Sequence, residues 1–323
     1  MTHPSAVTER SRAFVDAHRA GAVALGREAG DLVNDPQQVV QHLREGLPDL
    51  GDAEYLEGQR LIAPGIGDLL GVRNPLLAAV GTGFRAATRR DRSTVLLSVA
   101  DHLLREQLLE LRWLAFPILG RTIAQDPERA WQLVRLAARE AADWITVDSL
   151  AHVAARGIVS EPYRWAELEQ LVYSPSRWER RLVGSTVATL PYEDRVLGRR
   201  PEIAARGLDV LRDLIGDASP AVQKAISWAM RSLTIVDAVA VTAFARTEAG
   251  IAAATADGHR AWVVRDGVDR LPANTAASIR ASVEGIRKRP GAPSTSRAAE
   301  AAAAFTGLGV AVPPAERPIV ARP

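Results

Sequence analysis

The chain has 323 residues, 47% of them hydrophobic and 24% charged, and no cysteine. That length suits one large domain or two ordinary ones with a substantial core, and the missing thiols exclude a disulfide framework or a thiolate metal site. The formal net charge of +2 leaves polyanion binding open, because a single basic face is sufficient for it.

Of the 40 basic residues only Lys224 and Lys288 are lysines. Codon bias in a GC-rich genome explains this; so does phosphate recognition, for which arginine's planar fork is well shaped. Arginine is dense at Arg177, Arg180, Arg181, Arg195, Arg199 and Arg200, and again at Arg280, Arg287 and Arg289 beside Lys288. Residues 1–21 have no apolar run like that of a signal peptide, and nowhere is there a stretch of about eighteen uncharged apolar residues. The expectation is a cytoplasmic protein without a membrane segment.

In chain order, Val7, Phe14, Val15, Ala22 and Leu25 predict a helix over 7–30. Asp35-Pro36 opens a second, with Asp35 as N-cap and Pro36 at the first helical position. A third is expected from about Asp52 to Leu70, then a sharp break at Gly71–Pro75 with Asn74 capping the next helix. Thereafter the rhythm predicts helices over 75–89, 92–104, 107–122, 126–141, 144–156, 161–172, 176–189, 201–215, 219–232, 236–247, 250–256, 258–268 and 272–287. Caps and breakers separate them, including Gly157, Pro191, Pro201 and Ser219-Pro220. No alternating strand pattern is visible. The expected class is all-α, an α-solenoid of HEAT-like helix pairs at roughly 35–45-residue spacing forming a concave groove; a non-repeating bundle is the alternative. The chain then divides into a helical extension over 1–50, a repeat domain over 51–289, and a Pro/Ala-rich tail over 290–323, mobile or a strap with at most one short helix.

Gly81-Thr82-Gly83-Phe84-Arg85-Ala86 fits GxGxxA but lies inside a helical pattern rather than after a strand, so no dinucleotide cofactor is expected, nor any other. The six histidines are scattered without ligand spacing, and no metal site is expected. Trp144 and Asp148 share a helix face four residues apart, and the apolar neighbours Val147, Leu150 and Val153 place that carboxylate near a core, where an unpaired Asp is rare. In Ser176-Arg177-Trp178-Glu179-Arg180-Arg181-Leu182, Trp178 and Leu182 share one face and Arg177 and Arg181 another: a core indole under a solvated arginine face, or an arginine reaching a phosphate. Lys224, Trp228 and Arg231 form one stripe of cation, indole and cation, suited to a polyanion or to an indole half covered by basic stems. Equivalent helices of successive repeats line one surface, so the three segments can converge.

Trp144-Ile145-Thr146-Val147-Asp148, Trp178-Glu179-Arg180-Arg181 and, most specifically, Lys224-Ala225-Ile226-Ser227-Trp228-Ala229-Met230-Arg231 resemble the DNA alkylation repair family of HEAT-like DNA glycosylases, the AlkD type. Leu70–Pro75 and Glu110–Ala115 support the resemblance, which covers about residues 55–250. It implies monofunctional excision of cationic N3- and N7-alkylpurines from duplex DNA by a monomer. By motif position it implies a catalytic role for Asp148, Trp144 and Trp228 and a backbone contact for Arg181, or for Arg180 if the register shifts by one; Lys224, Arg231 and Arg177 are further DNA-binding candidates. A carboxylate can stabilise the positive charge that builds on a sugar losing its base, and a base already cationic needs no general acid to leave. The alternatives are a DNA-binding relative without turnover and a scaffold for protein partners.

Overall fold

The computed structural model describes residues 6–290, 295–298, 300, 301 and 304. Among them are fifteen α-helices and, in place of any strand, one antiparallel bridge between Gly51 and Val72. The chain divides into two units, 1–133 and 134–323, the division falling inside helix α7 (Pro127–Glu140).

The first unit holds α1 (Ala6–Asp31), α2 (Pro36–Gly46), α3 (Ala53–Ile62), α4 (Asn74–Ala87), α5 (Ser93–Leu104) and α6 (Leu109–Thr122). Asp35 caps α2 as expected, accepting from the backbone N–H of Gln37 and Gln38. Helices α1 and α4 pack so closely that a Cβ on Gly26 would sit 1.9 Å from the Val80 carbonyl, and one on Gly83 2.1 Å from that of Val23. The second glycine of the GxGxxA string therefore serves a helix crossing. Helix α3 stops at Ile62, short of the expected Leu70, since Pro64 and the left-handed Gly65 and Gly71 interrupt it. Asn74 is the first residue of α4 rather than its cap; Arg73 holds the cap position, without a side-chain cap bond. The irregular segment is secured by buried Glu110, which accepts from the N–H groups of Leu70, Gly71 and Val72.

The second unit continues with α8 (Trp144–Ser160), α9 (Arg164–Leu171), α10 (Arg177–Glu193), α11 (Pro201–Leu214), α12 (Pro220–Leu233), α13 (Ala238–Thr255), α14 (Gly258–Gly267) and α15 (Ala273–Ser282). Helix α10 packs on α8 and α12, and α12 on α14, while α13 contacts α11 and α15 in a second layer. This is a helical-repeat arrangement, with the even-numbered helices starting 33, 43 and 38 residues apart. Their starts are chemically alike. Asp143 accepts from Thr146 N–H at 2.8 Å, Ser176 from Trp178 N–H at 3.3 Å, and Asp257 from His259 N–H at 2.8 Å; at α12 Asp217 accepts from Ser219 N–H at 2.7 Å.

Three expected breaks are absent, the first at Gly157, which is buried inside α8 and does not end it. Helix α10 passes through Pro191 because a proline in the last turn forfeits one hydrogen bond only. Helix α13 passes through exposed Gly250, a cost of about 1 kcal/mol that burial of Phe244, Ala245, Ala249 and Ala252 offsets. Of the expected tail, Thr295 and Ser296 are seated on this unit, taking bonds from Arg260 and giving one to the Asp213 carbonyl; most of the rest lies outside the described residues.

Candidate nucleic-acid interface

Counting from each helix start puts Asp148, Arg181, Lys224 and Trp262 all at the fifth residue of α8, α10, α12 and α14. His152, Ser185, Trp228 and Asp266 all hold the ninth. Since these helices pack in sequence, the residues form two rows across the repeats, one turn apart.

Asp148 is the most constrained member. Its Oδ1 accepts from Arg181 Nε at 3.0 Å and Ser185 Oγ at 2.6 Å, and its Oδ2 from Arg181 Nη2 at 2.7 Å. Arg181 also donates to the Ala221 carbonyl at 2.7 Å, so one guanidinium ties α8, α10 and α12 together. The close approach that permits this centres on Gly184, whose Cβ would lie 2.8 Å from that of Ala225. The Arg181 side chain is 6% exposed and that of Asp148 20%: the carboxylate keeps an open side, and its cation does not. Trp144 lies one turn back on the same helix, half-buried, with the Arg181 guanidinium carbon 5.9 Å from its ring centre.

A solvated arginine face on α10 is not what forms. Lying between α8 and α12, this helix is buried nearly all round, so its polar side chains must find partners inside the protein. Arg180 is buried and committed to Asp217 at 2.8 Å and to the carbonyls of Ser174 and Pro175 at 2.7 and 3.0 Å. It does not join Asp148 and presents no free guanidinium to a phosphate. The same burial corrects the expectation that Arg181 faces outward. Trp178 is buried in the core, as one of the two readings held, under exposed Arg177, whose guanidinium carbon lies 5.0 Å from its ring centre.

On α12, Lys224 is exposed and Trp228 half-buried, in the register of Ser185. Arg231 is half-buried and pairs with the Asp266 carboxylate while donating to its carbonyl at 3.2 Å, so its charge is partly offset within the protein. Neither Ser185 nor the Ala221 carbonyl was foreseen as part of the site. A serine four residues after Arg181 is the only sequence trace of the first, and a backbone acceptor leaves none. Exposed His152, one turn beyond Asp148, meets the largely buried Glu193: His152 Nδ1 and Glu193 Oε1 are 2.5 Å apart, and Arg156 Nη2 donates to Glu193 Oε2 at 2.9 Å. Burial works against ionisation of Glu193, but the hydrogen bonds from His152 and Arg156 prevail and hold its pKa below the ordinary value.

No helix among the described residues is long and apolar enough to cross a membrane, and no cluster of histidine and carboxylate side chains among them could hold a metal ion. No curated protein and no solved structure is significantly similar to the chain. A family model described as DNA alkylation repair enzyme matches residues 43–271, a span that takes in α3 to α14 and both rows of residues. The chain belongs to the DNA alkylation repair enzyme family.

Proposed function

We propose that the protein is a monofunctional DNA glycosylase that hydrolyses the N-glycosidic bond of cationic N3- and N7-alkylpurines in duplex DNA, acting as a monomer on the nucleoid in the cytoplasm. The observation that carries this reading is Asp148: a carboxylate clamped by Arg181 and Ser185 yet open on one side, in a family whose members repair alkylated DNA.

Oδ1 takes two hydrogen bonds and Oδ2 one, which leaves Oδ2 with the spare acceptor capacity. As the alkylated base departs, positive charge builds on the deoxyribose. A carboxylate already fixed in place stabilises that charge without reorganising, and Oδ2 can orient the attacking water. Arg181 keeps Asp148 aimed but partly offsets its charge, so the stabilisation depends on the sugar approaching from the open side. The indole faces of Trp144 and Trp228 add cation–π attraction of about 0.5–2 kcal/mol each where they meet the cationic sugar. The base carries its positive charge from the start, so no protein acid has to protonate it. Lys224, exposed in the same row as Asp148, suits a backbone phosphate.

A second reading, DNA binding without turnover, draws on the three hydrogen bonds that already engage Asp148. Incubation with methylated duplex DNA separates the two. Release of 3-methyladenine or 7-methylguanine supports the glycosylase; salt-dependent binding with no release supports the second reading.

A further inference from the structure

Cations of the second unit differ in whether the fold supplies a carboxylate for them. Arg180, Arg181, Arg206, Arg212, Arg231, Arg260 and Arg280 each pair with a carboxylate. Several make no such pair among the described residues, Arg139, Arg199, Arg246 and Arg270 included, but of these Lys224, Arg265, Arg287 and Lys288 lie close together. Arg265 and Lys224 are close enough to Lys288 to depress its pKa, after burial as the first cause, and Arg287 acts likewise on Arg265. Concentrated like charge is unfavourable unless an anion from outside joins it.

The cluster is also built with some accuracy. Lys288 Nζ lies 4.1 Å from the centre of the Trp262 ring and donates to Gln223 Oε1, while Gln223 Nε2 is fixed by the Asp217 carbonyl at 2.5 Å. The backbone carrying Lys288 is set by Gly258 at the start of α14, where a Cβ would come within 2.2 Å of the Arg287 carbonyl oxygen and 2.5 Å of Lys288 N. Trp262 is the fifth residue of α14, in the row of Asp148, Arg181 and Lys224. Two of the four cations, Arg287 and Lys288, lie beyond the family match, which ends at residue 271.

We propose that Lys224, Arg265, Arg287 and Lys288, the last seated on Trp262, form a phosphodiester site that grips the backbone of duplex DNA on the α12–α14 side of Asp148. The proposal rests on the duplex-DNA reading above, though not on base release. Lys288 supplies a point charge held in place by the indole and Gln223, and Arg265 and Arg287 supply further donors. The row places the gripped strand in line with the sugar that Asp148 addresses.

The test is the salt dependence of binding to an unmodified fluorescent duplex, for the wild type, Lys288→Gln, Arg287→Gln/Lys288→Gln, and Arg246→Gln as a control at an exposed position on α13. Each phosphate contact contributes about 0.9 to the slope of log affinity against log salt. Lys288→Gln should lower the slope by about 0.9 and weaken binding about eightfold at 0.1 M salt, with an unchanged melting temperature. The double variant should lose roughly twice that slope, and Arg246→Gln none. A slope and affinity unchanged in both cluster variants would overturn the proposal, as would wild-type protein that does not bind duplex DNA, or a slope loss seen with duplex RNA and absent with DNA. Failure of the glycosylase reading looks different: no base is released by wild-type protein whose binding still responds to Lys288→Gln.

Discussion

Replacing Arg181 by alanine separates an internal anchor from a surface DNA contact. The side chain is 6% exposed and makes two hydrogen bonds to Asp148 and one to the Ala221 carbonyl. Removing one partner of a buried ion pair costs about 3–5 kcal/mol, because the other charge is left uncompensated. Asp148 is 20% exposed and recovers some hydration, which places the pair near the lower end, about 3 kcal/mol, and the stranded carbonyl adds about 1. At a slope of about 3 kcal/mol per molar urea, the midpoint should fall by about 1 M or slightly more. Five of the seven tryptophans lie in the second unit, so indole fluorescence follows its unfolding. In a double-mutant cycle with Asp148→Asn, the coupling should be about 2 kcal/mol. An Arg181→Ala protein with an unshifted midpoint, weakened only in DNA binding, would refute the burial argument and restore Arg181 as a surface contact.

The same geometry makes two further outcomes testable. Ser185→Ala removes a 2.6 Å hydrogen bond to Asp148 Oδ1; single-turnover base release should slow about tenfold, equivalent to about 1.4 kcal/mol, with DNA affinity unchanged, and an unchanged rate would show that Ser185 does not help to hold the carboxylate. Glu110→Ala strands the N–H groups of Leu70, Gly71 and Val72 and should destabilise the first unit by at least about 3 kcal/mol, as measured by hydrogen exchange of those amides; unchanged protection would count against it.

How much of the molecule is legible in its sequence differs by level. Helix rhythm and cap chemistry reveal an all-α repeat chain, since residues such as Asp35 and Ser176 announce helix starts through local hydrogen bonds. The end of α3 and the continuity of α10 and α13 escape such a reading because one proline or glycine has no fixed consequence: its effect depends on what the flanking turns bury. At the site, Trp144, Asp148 and Arg181 can be found by spacing because each sits on a regular helix in successive repeats. Their hydrogen-bonding partners cannot. A helical pattern does not say that α10 lies between two neighbours, and that burial turns Arg180 and Arg181 from expected phosphate ligands into internal ties. The pairing of Lys288 with Trp262 is hidden for a similar reason, since it depends on Gly258 admitting a backbone from outside the repeat.

The most direct measurement is single-turnover release of 7-methylguanine from a methylated duplex by wild-type protein and by Asp148→Asn, with binding to the same duplex measured in parallel. Asparagine keeps the shape of the side chain and removes its charge. If the carboxylate stabilises a sugar that is losing its base, Asp148→Asn should abolish detectable release while leaving the dissociation constant within about threefold, a difference below about 0.7 kcal/mol. Release at the wild-type rate by Asp148→Asn, or equal loss of release and binding, would contradict a catalytic Asp148 and leave it a structural partner of Arg181.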